Sequence, residues 1–197
     1  MHMKIILASS SPRRAEVLRD AGIAFEICAP QVDESAHPGE SVQAMVARLA
    51  EAKARAAAKQ MGHGKGNCII VGADTAVELN GEIFGKPRNL AHAGEMLAAL
   101  GGRTHHVLTG IFLIRLPDGA TRAAIETTSV TFVPLERNEI EAYLASGEPM
   151  DKAGAYAIQG IAGRYISRIE GCYFNVVGLP LAKLYALLRD LGWADEK

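Results

Sequence analysis

Apolar and polar positions along the chain follow two periods. Short apolar or alternating blocks predict strands over Lys4 to Leu7, Phe25 to Cys28, Cys68 to Val71, Val77 to Leu79 and Glu82 to Phe84. Two longer strand-like runs cover Thr104 to Leu116 and Thr121 to Val133. Spacing of three and four predicts helices over Pro12 to Ala21, from a Ser41 cap to about Met61, and over Leu90 to Leu100 and Glu136 to Ala145. A closing helix carries Leu181, Leu184, Leu187, Leu188 and Leu191, and Val176 to Leu179 leads into it. Asn80–Gly81 is a two-residue hairpin signal, and Pro117 to Gly119 turns the chain between the two long strands. Pro30 to Gly39 and the GHGKGN run at 62–67 read as loops, and Tyr156 to Ser167 is punctuated by glycines. Strands and helices mix without strict alternation. The expected fold is α/β: a mixed twisted sheet with flanking helices within one domain spanning residues 1–197, built either as a single compact body or as two lobes around a central cleft.

Composition narrows the partners. The chain has 197 residues, 49% of them hydrophobic, enough for a substantial core. A net charge of −1 gives no global attraction to nucleic acid or to an anionic membrane surface, so any affinity for phosphate must be local. Cys28, Cys68 and Cys172 are odd in number, widely spaced and set in apolar runs. They read as reduced core residues, neither disulfides nor zinc ligands. No apolar run approaches a membrane span, and the N-terminus lacks the pattern of a signal peptide. A cytoplasmic location is expected.

The run ASSSPRRAEVL carries the strongest candidate chemistry. A strand delivers Ser9, Ser10 and Ser11 into a helix, with Ser11 suited to the N-cap and Pro12 to the first helical position. The helix N-terminus faces outward with its positive dipole end. Arg13 and Arg14 add forked donors that fit phosphate oxygens in pairs. Asp74 ends the run IIVGAD, where a carboxylate at a strand terminus is either catalytic or a turn-starting aspartate. Lys53 falls on the stripe of Val42, Val46 and Leu49, so it faces inward or snorkels out, and snorkelling is the commoner outcome for a lysine read alone. Lys86, between Gly85 and Pro87, is either a point-charge phosphate donor or a solvated turn lysine. Asp33, Glu34 and Asp74 together offer hard oxygen ligands for Mg²⁺ or Mn²⁺. His105 and His106 are adjacent in a strand, point opposite ways, and cannot chelate together.

Five segments in order, LASSSPRRAEVL, VGADTAV, NGEIFGKPR, DKAGAYAIQG and VVGLPL, resemble the Maf family of nucleoside triphosphate pyrophosphatases. They spread across nearly the whole chain. The IQG form of the fourth resembles the subgroup acting on dTTP and UTP, whereas the subgroup preferring 7-methylguanosine triphosphate usually carries a KSEG-type pattern there. The resemblance implies two lobes around a central cleft, a fold similar to inosine triphosphate pyrophosphatases, with divalent-metal help and cleavage between the α- and β-phosphates. It implies Asp74 as proton acceptor, Arg13, Thr75 and Gln159 as specificity positions, and Glu34, Lys53 and Lys86 as charged groups of the active site. Glu34 and Asp74 are the expected metal ligands; Ser9, Ser11, Arg13 and Arg14 the expected phosphate ligands. A homodimer is implied as well. Competing readings are a house-cleaning hydrolase for purine triphosphates such as ITP, and a nucleotide-binding regulator of cell division.

Overall fold

The computed structural model describes residues 3–62 and 66–194; part of the 62–67 loop, His63 to Lys65, lies outside the described residues. In chain order the elements are β1 (Lys4–Ala8), α1 (Pro12–Asp20), β2 (Phe25–Ile27), α2 (Val42–Met61), β3 (Cys68–Leu79), β4 (Glu82–Phe84) and α3 (Leu90–Leu100). There follow β5 (Thr104–Leu116), β6 (Thr121–Phe132), α4 (Arg137–Ala145), three short 3₁₀ turns between Glu148 and Tyr165, β7 (Ile166–Glu170), α5 (Tyr173–Val177) and α6 (Leu181–Asp190). Among the described residues the seven strands form one mixed sheet of order β2-β1-β3-β5-β6-β7, with β4 paired to β3. The fold is therefore the expected mixed α/β class.

Two differences from the sequence reading matter. The pieces expected at Cys68 to Val71 and Val77 to Leu79 are one twelve-residue strand. Asp74 thus lies inside β3, not at a strand end. The intervening Gly72, Ala73 and Ala76 look like a break in sequence but are small residues buried in continuous strand. The strand β7 was not expected; its Arg168 and Glu170 and the glycines before it hide the alternation. Elsewhere the caps and turns behave as read. Ser41 Oγ accepts from the Ala44 N–H at 3.2 Å, and Asn80 and Gly81 both have positive φ, as the tight hairpin requires.

The chain forms two compact units: Met1–Asp74 with Thr109–Glu126 and Gly178–Lys197, and Thr75–Leu108 with Thr127–Val177. In the first, β1 runs parallel to both β2 and β3, with Ala8 opposite Gly72. Along β3, Ile70, Gly72 and Asp74 share a face, since side chains alternate. Ile70 packs with Ile6, Ala8, Ala54, Ala57, Cys68 and Ile114, which identifies that face as the one beneath α2. Cys68 is buried as expected, but Cys28 and Cys172 are only half-buried; all three are free thiols.

The core of the second unit gathers Phe84, Leu97, Leu100, Val130, Phe132, Tyr143, Tyr156 and Tyr165. His105 is fully buried among them, while His106 is exposed and meets Glu78 at 3.1 Å, as strand alternation demands. His105 Nε2 shares a 2.8 Å hydrogen bond with the Tyr156 hydroxyl, and its ring stands edge-on to Phe132 and Tyr156. Burial, helped by His106, pushes its pKa from 6.5 down to about 4. The folded protein then holds this imidazole neutral while the unfolded chain takes up its proton near pH 6.5. Between pH 6.5 and 4 the unfolded state binds more protons, so stability falls as pH falls, by up to about 3 kcal/mol. The His105 ring protons should titrate near pH 4 by NMR; a midpoint near 6.5 would contradict this. A His105→Gln variant should lose less thermal stability across that window than the parent.

Candidate active site

The charged centre of the first unit is built by α2 resting on β3. Gly72 has no room for a side chain: a Cβ there would lie 2.1 Å from the Ala50 carbonyl oxygen and 2.8 Å from the Ala54 nitrogen. Gly110 on β5 meets the same helix, with 2.4 Å from a built Cβ to the Val46 oxygen. Helix and sheet therefore touch backbone to backbone. This brings Lys53, between Ala50 and Ala54, to Asp74, which is two residues beyond Gly72 on the same face.

Lys53 points inward and is only 9% exposed. Its Nζ donates to Asp74 Oδ1 at 2.6 Å and pairs with Glu34 Oε1 at 2.6 Å. Snorkelling, the commoner outcome for an isolated lysine, is displaced here because two carboxylates wait at the inner end of the stripe. Asp74 is nearly as buried as Lys53, while the Glu34 side chain is 51% exposed. One carboxylate is held by the sheet; the other comes from a surface loop.

That loop is tied to α2 by Arg48, which the sequence reading did not single out. Arg48 Nε and Nη2 each donate to a Glu40 oxygen at 2.7 Å, and Nη2 also donates to the Ser35 carbonyl at 3.0 Å. The bidentate pair draws the Glu40 carboxyl down to about 2. Asp33, expected as a further oxygen ligand, is used locally: its Oδ1 accepts from the Ser35 N–H at 2.9 Å and the Ser35 hydroxyl at 2.6 Å. The turn so formed leaves Glu34, not Asp33, as the loop's contribution at Lys53.

The β1–α1 junction lies at the same end of this strand pair, because the parallel register sets Ala8 against Gly72. Ser11 occupies the N-cap position of α1, as expected, but its hydroxyl makes no cap bond; its own N–H donates to Ser9 Oγ at 3.2 Å. Arg14 is buried. Its Nε donates to the Gly178 carbonyl at 2.8 Å and its Nη1 to Ser9 Oγ at 2.9 Å. Burial lowers its pKa, the negative charge of Asp74 opposes that, Arg13 adds to it and Glu34 opposes it. Arg14 therefore sits within electrostatic reach of both carboxylates. Two of its donors brace the fold, whereas Arg13 is half-buried and Ser10 exposed.

Thr75, Lys86 and Gln159 belong to the second unit. Thr75 is half-buried, and Lys86 and Gln159 are exposed. The Gly154 N–H donates to the Gly85 carbonyl at 3.1 Å, so the segments GKPR and AGAYAIQG are fastened together. Among the described residues, no three His, Cys, Asp or Glu side chains form a metal-binding group, and no helix is long and apolar enough to cross a membrane.

An inward-facing ammonium shared by two carboxylates, with a buried guanidinium in electrostatic range at a strand–helix junction, marks a mixed α/β protein with a charged centre suited to phosphorylated small molecules. The chain belongs to the family described as Maf-like protein, whose model matches residues 4–191. Relatives named dTTP/UTP pyrophosphatase include one from Anaeromyxobacter sp., 47% identical over 98% of this chain and 91% of its own length. Another, from Symbiobacterium thermophilum, is 48% identical over 96% and 95%. A third, from Carboxydothermus hydrogenoformans, is 44% identical over 97% and 100%. A solved structure titled nucleoside-triphosphatase / dITP/XTP pyrophosphatase, from Mycobacterium abscessus, aligns at TM-score 0.39 and 19% identity over 96% of this chain and 98% of its own.

Proposed function

We propose that this protein hydrolyses nucleoside triphosphates, dTTP and UTP foremost, to the monophosphate and pyrophosphate. The observation that carries the reading is the meeting of Glu34, Lys53 and Asp74 at 2.6 Å contacts beside the SPRR junction, in a chain 44–48% identical to relatives named for that activity. In the reaction a water oxygen bonds to the α-phosphorus, the bond from that phosphorus to the bridging oxygen breaks, and pyrophosphate leaves. The chain's work is positioning and charge neutralisation. Asp74 orients the water and accepts its proton. Lys53 holds Asp74 and Glu34 in register and keeps positive charge beside the reacting phosphate. Ser9, Ser11, Arg13, Arg14 and the N-terminus of α1 serve the phosphate tail.

Glu34 and Asp74, which converge on the Lys53 ammonium, are hard oxygen donors of the kind Mg²⁺ or Mn²⁺ takes, to be completed by water and substrate oxygens. An ion held by them would supply positive charge against the phosphates and make a nearby water easier to deprotonate.

Specificity is assigned to Arg13, Thr75 and Gln159, and a phosphate-side charge to Lys86, on their motif positions. Residues 1–197 are read as one functional domain and a homodimer on the family resemblance, and as acting in the cytoplasm on the three unpaired cysteines. Gln159 suits base reading because its amide offers both an acceptor and donors. The uracil and thymine edge pairs an N3–H with carbonyls, while cytosine lacks that N–H and leaves a polar group unmatched. Gln159→Ala should therefore lower the preference for UTP over CTP about tenfold with little change in melting temperature. Equal loss on both nucleotides, with the ratio intact, refutes the assignment. The overall reading is tested by incubating the protein with a triphosphate panel and Mg²⁺ or Mn²⁺. UMP or dTMP with pyrophosphate supports it; orthophosphate with a diphosphate, or binding without turnover, refutes it.

A further inference from the structure

The turn that carries Gln159 is fixed at both ends by side chains far from it in sequence. Ala157 and Gly160 close it, with the Gly160 N–H donating to the Ala157 carbonyl at 3.2 Å. On the N-terminal side Tyr156 is buried and bonded to His105. On the C-terminal side stands Glu148. Its Oε2 accepts from the Ile161 N–H at 3.0 Å, and its Oε1 accepts from the Tyr143 hydroxyl at 2.9 Å. The carboxylate also lies flat against Gly160, where a Cβ would come within 2.3 Å of Oε1 and 2.4 Å of Cδ. With φ at −106° the backbone at Gly160 would accept any residue, so a side chain there would be opposed only by the Glu148 carboxylate, which it would push aside.

Tyr143 is 1% exposed, anchored on α4, with its ring edge-on to Tyr165 at 6.0 Å. Burial, and then the bond to Glu148, raise the Tyr143 pKa, so the phenol remains a donor. Glu148 itself is half-buried, and Gln159 is exposed. A carboxylate held by a core tyrosine thus grips the backbone N–H two residues after an exposed amide. Glu148 has no part in the proposed hydrolytic step.

We propose that Glu148 is a positioning residue that holds the Gln159 turn and thereby sets nucleobase selectivity. The proposal rests on the reading of Gln159 as the base reader. Loss of the grip leaves the Gln159 amide present but no longer fixed, so the pyrimidine with the wrong edge is rejected less well. Overall turnover on the preferred base falls less than the preference does.

The test compares UTP and CTP hydrolysis, with Mg²⁺, in Glu148→Ala, Glu148→Gln, Gln159→Ala and the double alanine variant. Glu148→Ala should cut the UTP-over-CTP ratio of kcat/KM about tenfold, as expected for losing a hydrogen bond to a charged group. Glu148→Gln should keep the ratio, because its amide oxygen can still accept from Ile161 and its NH₂ can donate to Tyr143. The double variant should lose no more than Gln159→Ala alone. Hydrogen exchange at the Ile161 amide should accelerate in Glu148→Ala and remain slow in Glu148→Gln. Should Glu148→Ala not fold, Tyr143→Phe carries the same test, with a smaller loss of the ratio. If Glu148→Ala keeps a ratio that Gln159→Ala loses, or leaves Ile161 exchange unchanged, the proposal is overturned while base reading by Gln159 stands. If Gln159→Ala keeps the ratio, base reading falls and this proposal with it.

Discussion

Asp74→Asn is expected to lower triphosphate hydrolysis by about 10²-fold or more while leaving the protein folded, the loss typical of removing a general base. The two side chains are nearly isosteric, and position 74 is buried in the middle of a twelve-residue strand. The amide oxygen can still accept from Lys53, and Lys53 keeps its 2.6 Å partner Glu34. What the substitution removes is the negative charge and the capacity to take a proton. The melting temperature should drop only modestly, because Lys53 and Arg14 lose one counter-charge but no packing. KM for the triphosphate should change less than kcat, since the phosphate tail is assigned to other residues. Pyrophosphate release by purified variant and parent, alongside thermal melting, measures both. Near-normal turnover in a well-folded Asp74→Asn protein would remove Asp74 from the chemistry.

The centre was legible in sequence to the extent that each member sat on an element with its own local signal. The Ser41 cap and the apolar stripe fixed the bounds of α2, so the phase of Lys53 could be counted. The outcome at Lys53 could not. Whether a lysine on an apolar stripe turns in depends on what faces it, and its partners Glu34 and Asp74 come from a loop before the helix and a strand after it. Asp74 stood out as a charge after an apolar run, but Gly72 and Ala73 made it look like a strand end. Small residues signal a break locally and close packing globally, and only the helix lying across them distinguishes the two. Arg48 and Glu148 left no mark at all. Each joins a side-chain partner, Glu40 or Tyr143, to a backbone carbonyl or amide across a turn, and neither the turn nor its backbone group has a side-chain identity to read. The twin histidines show the opposite case: alternation alone placed one inside and one out.

The second large effect belongs to Gly72. A methyl at this position would overlap the Ala50 carbonyl oxygen at 2.1 Å and approach Ala54 N and Cβ at 2.8 and 2.9 Å. These are atoms of a twenty-residue helix held elsewhere, not the free end of a side chain. Interiors packed at crystal density have no slack to absorb such an overlap. Gly72→Ala should therefore reach or pass the upper end of the about 1–3 kcal/mol typical of overpacking, lowering the melting temperature by roughly 6–12 °C for a chain of this size. Gly85→Ala is the matched control. Nothing lies within 4 Å of a Cβ there, and stability should stay within about 0.5 kcal/mol. Activity in Gly72→Ala should fall with stability even at temperatures where the protein remains folded. A helix forced off the sheet at Ala50 and Ala54 carries Lys53, which lies between them, away from Asp74. A variant that melts like the parent and turns over normally would mean that α2 tolerates a shift at this crossing, and the close seat on Gly72 would then not be what holds the lysine to the carboxylate.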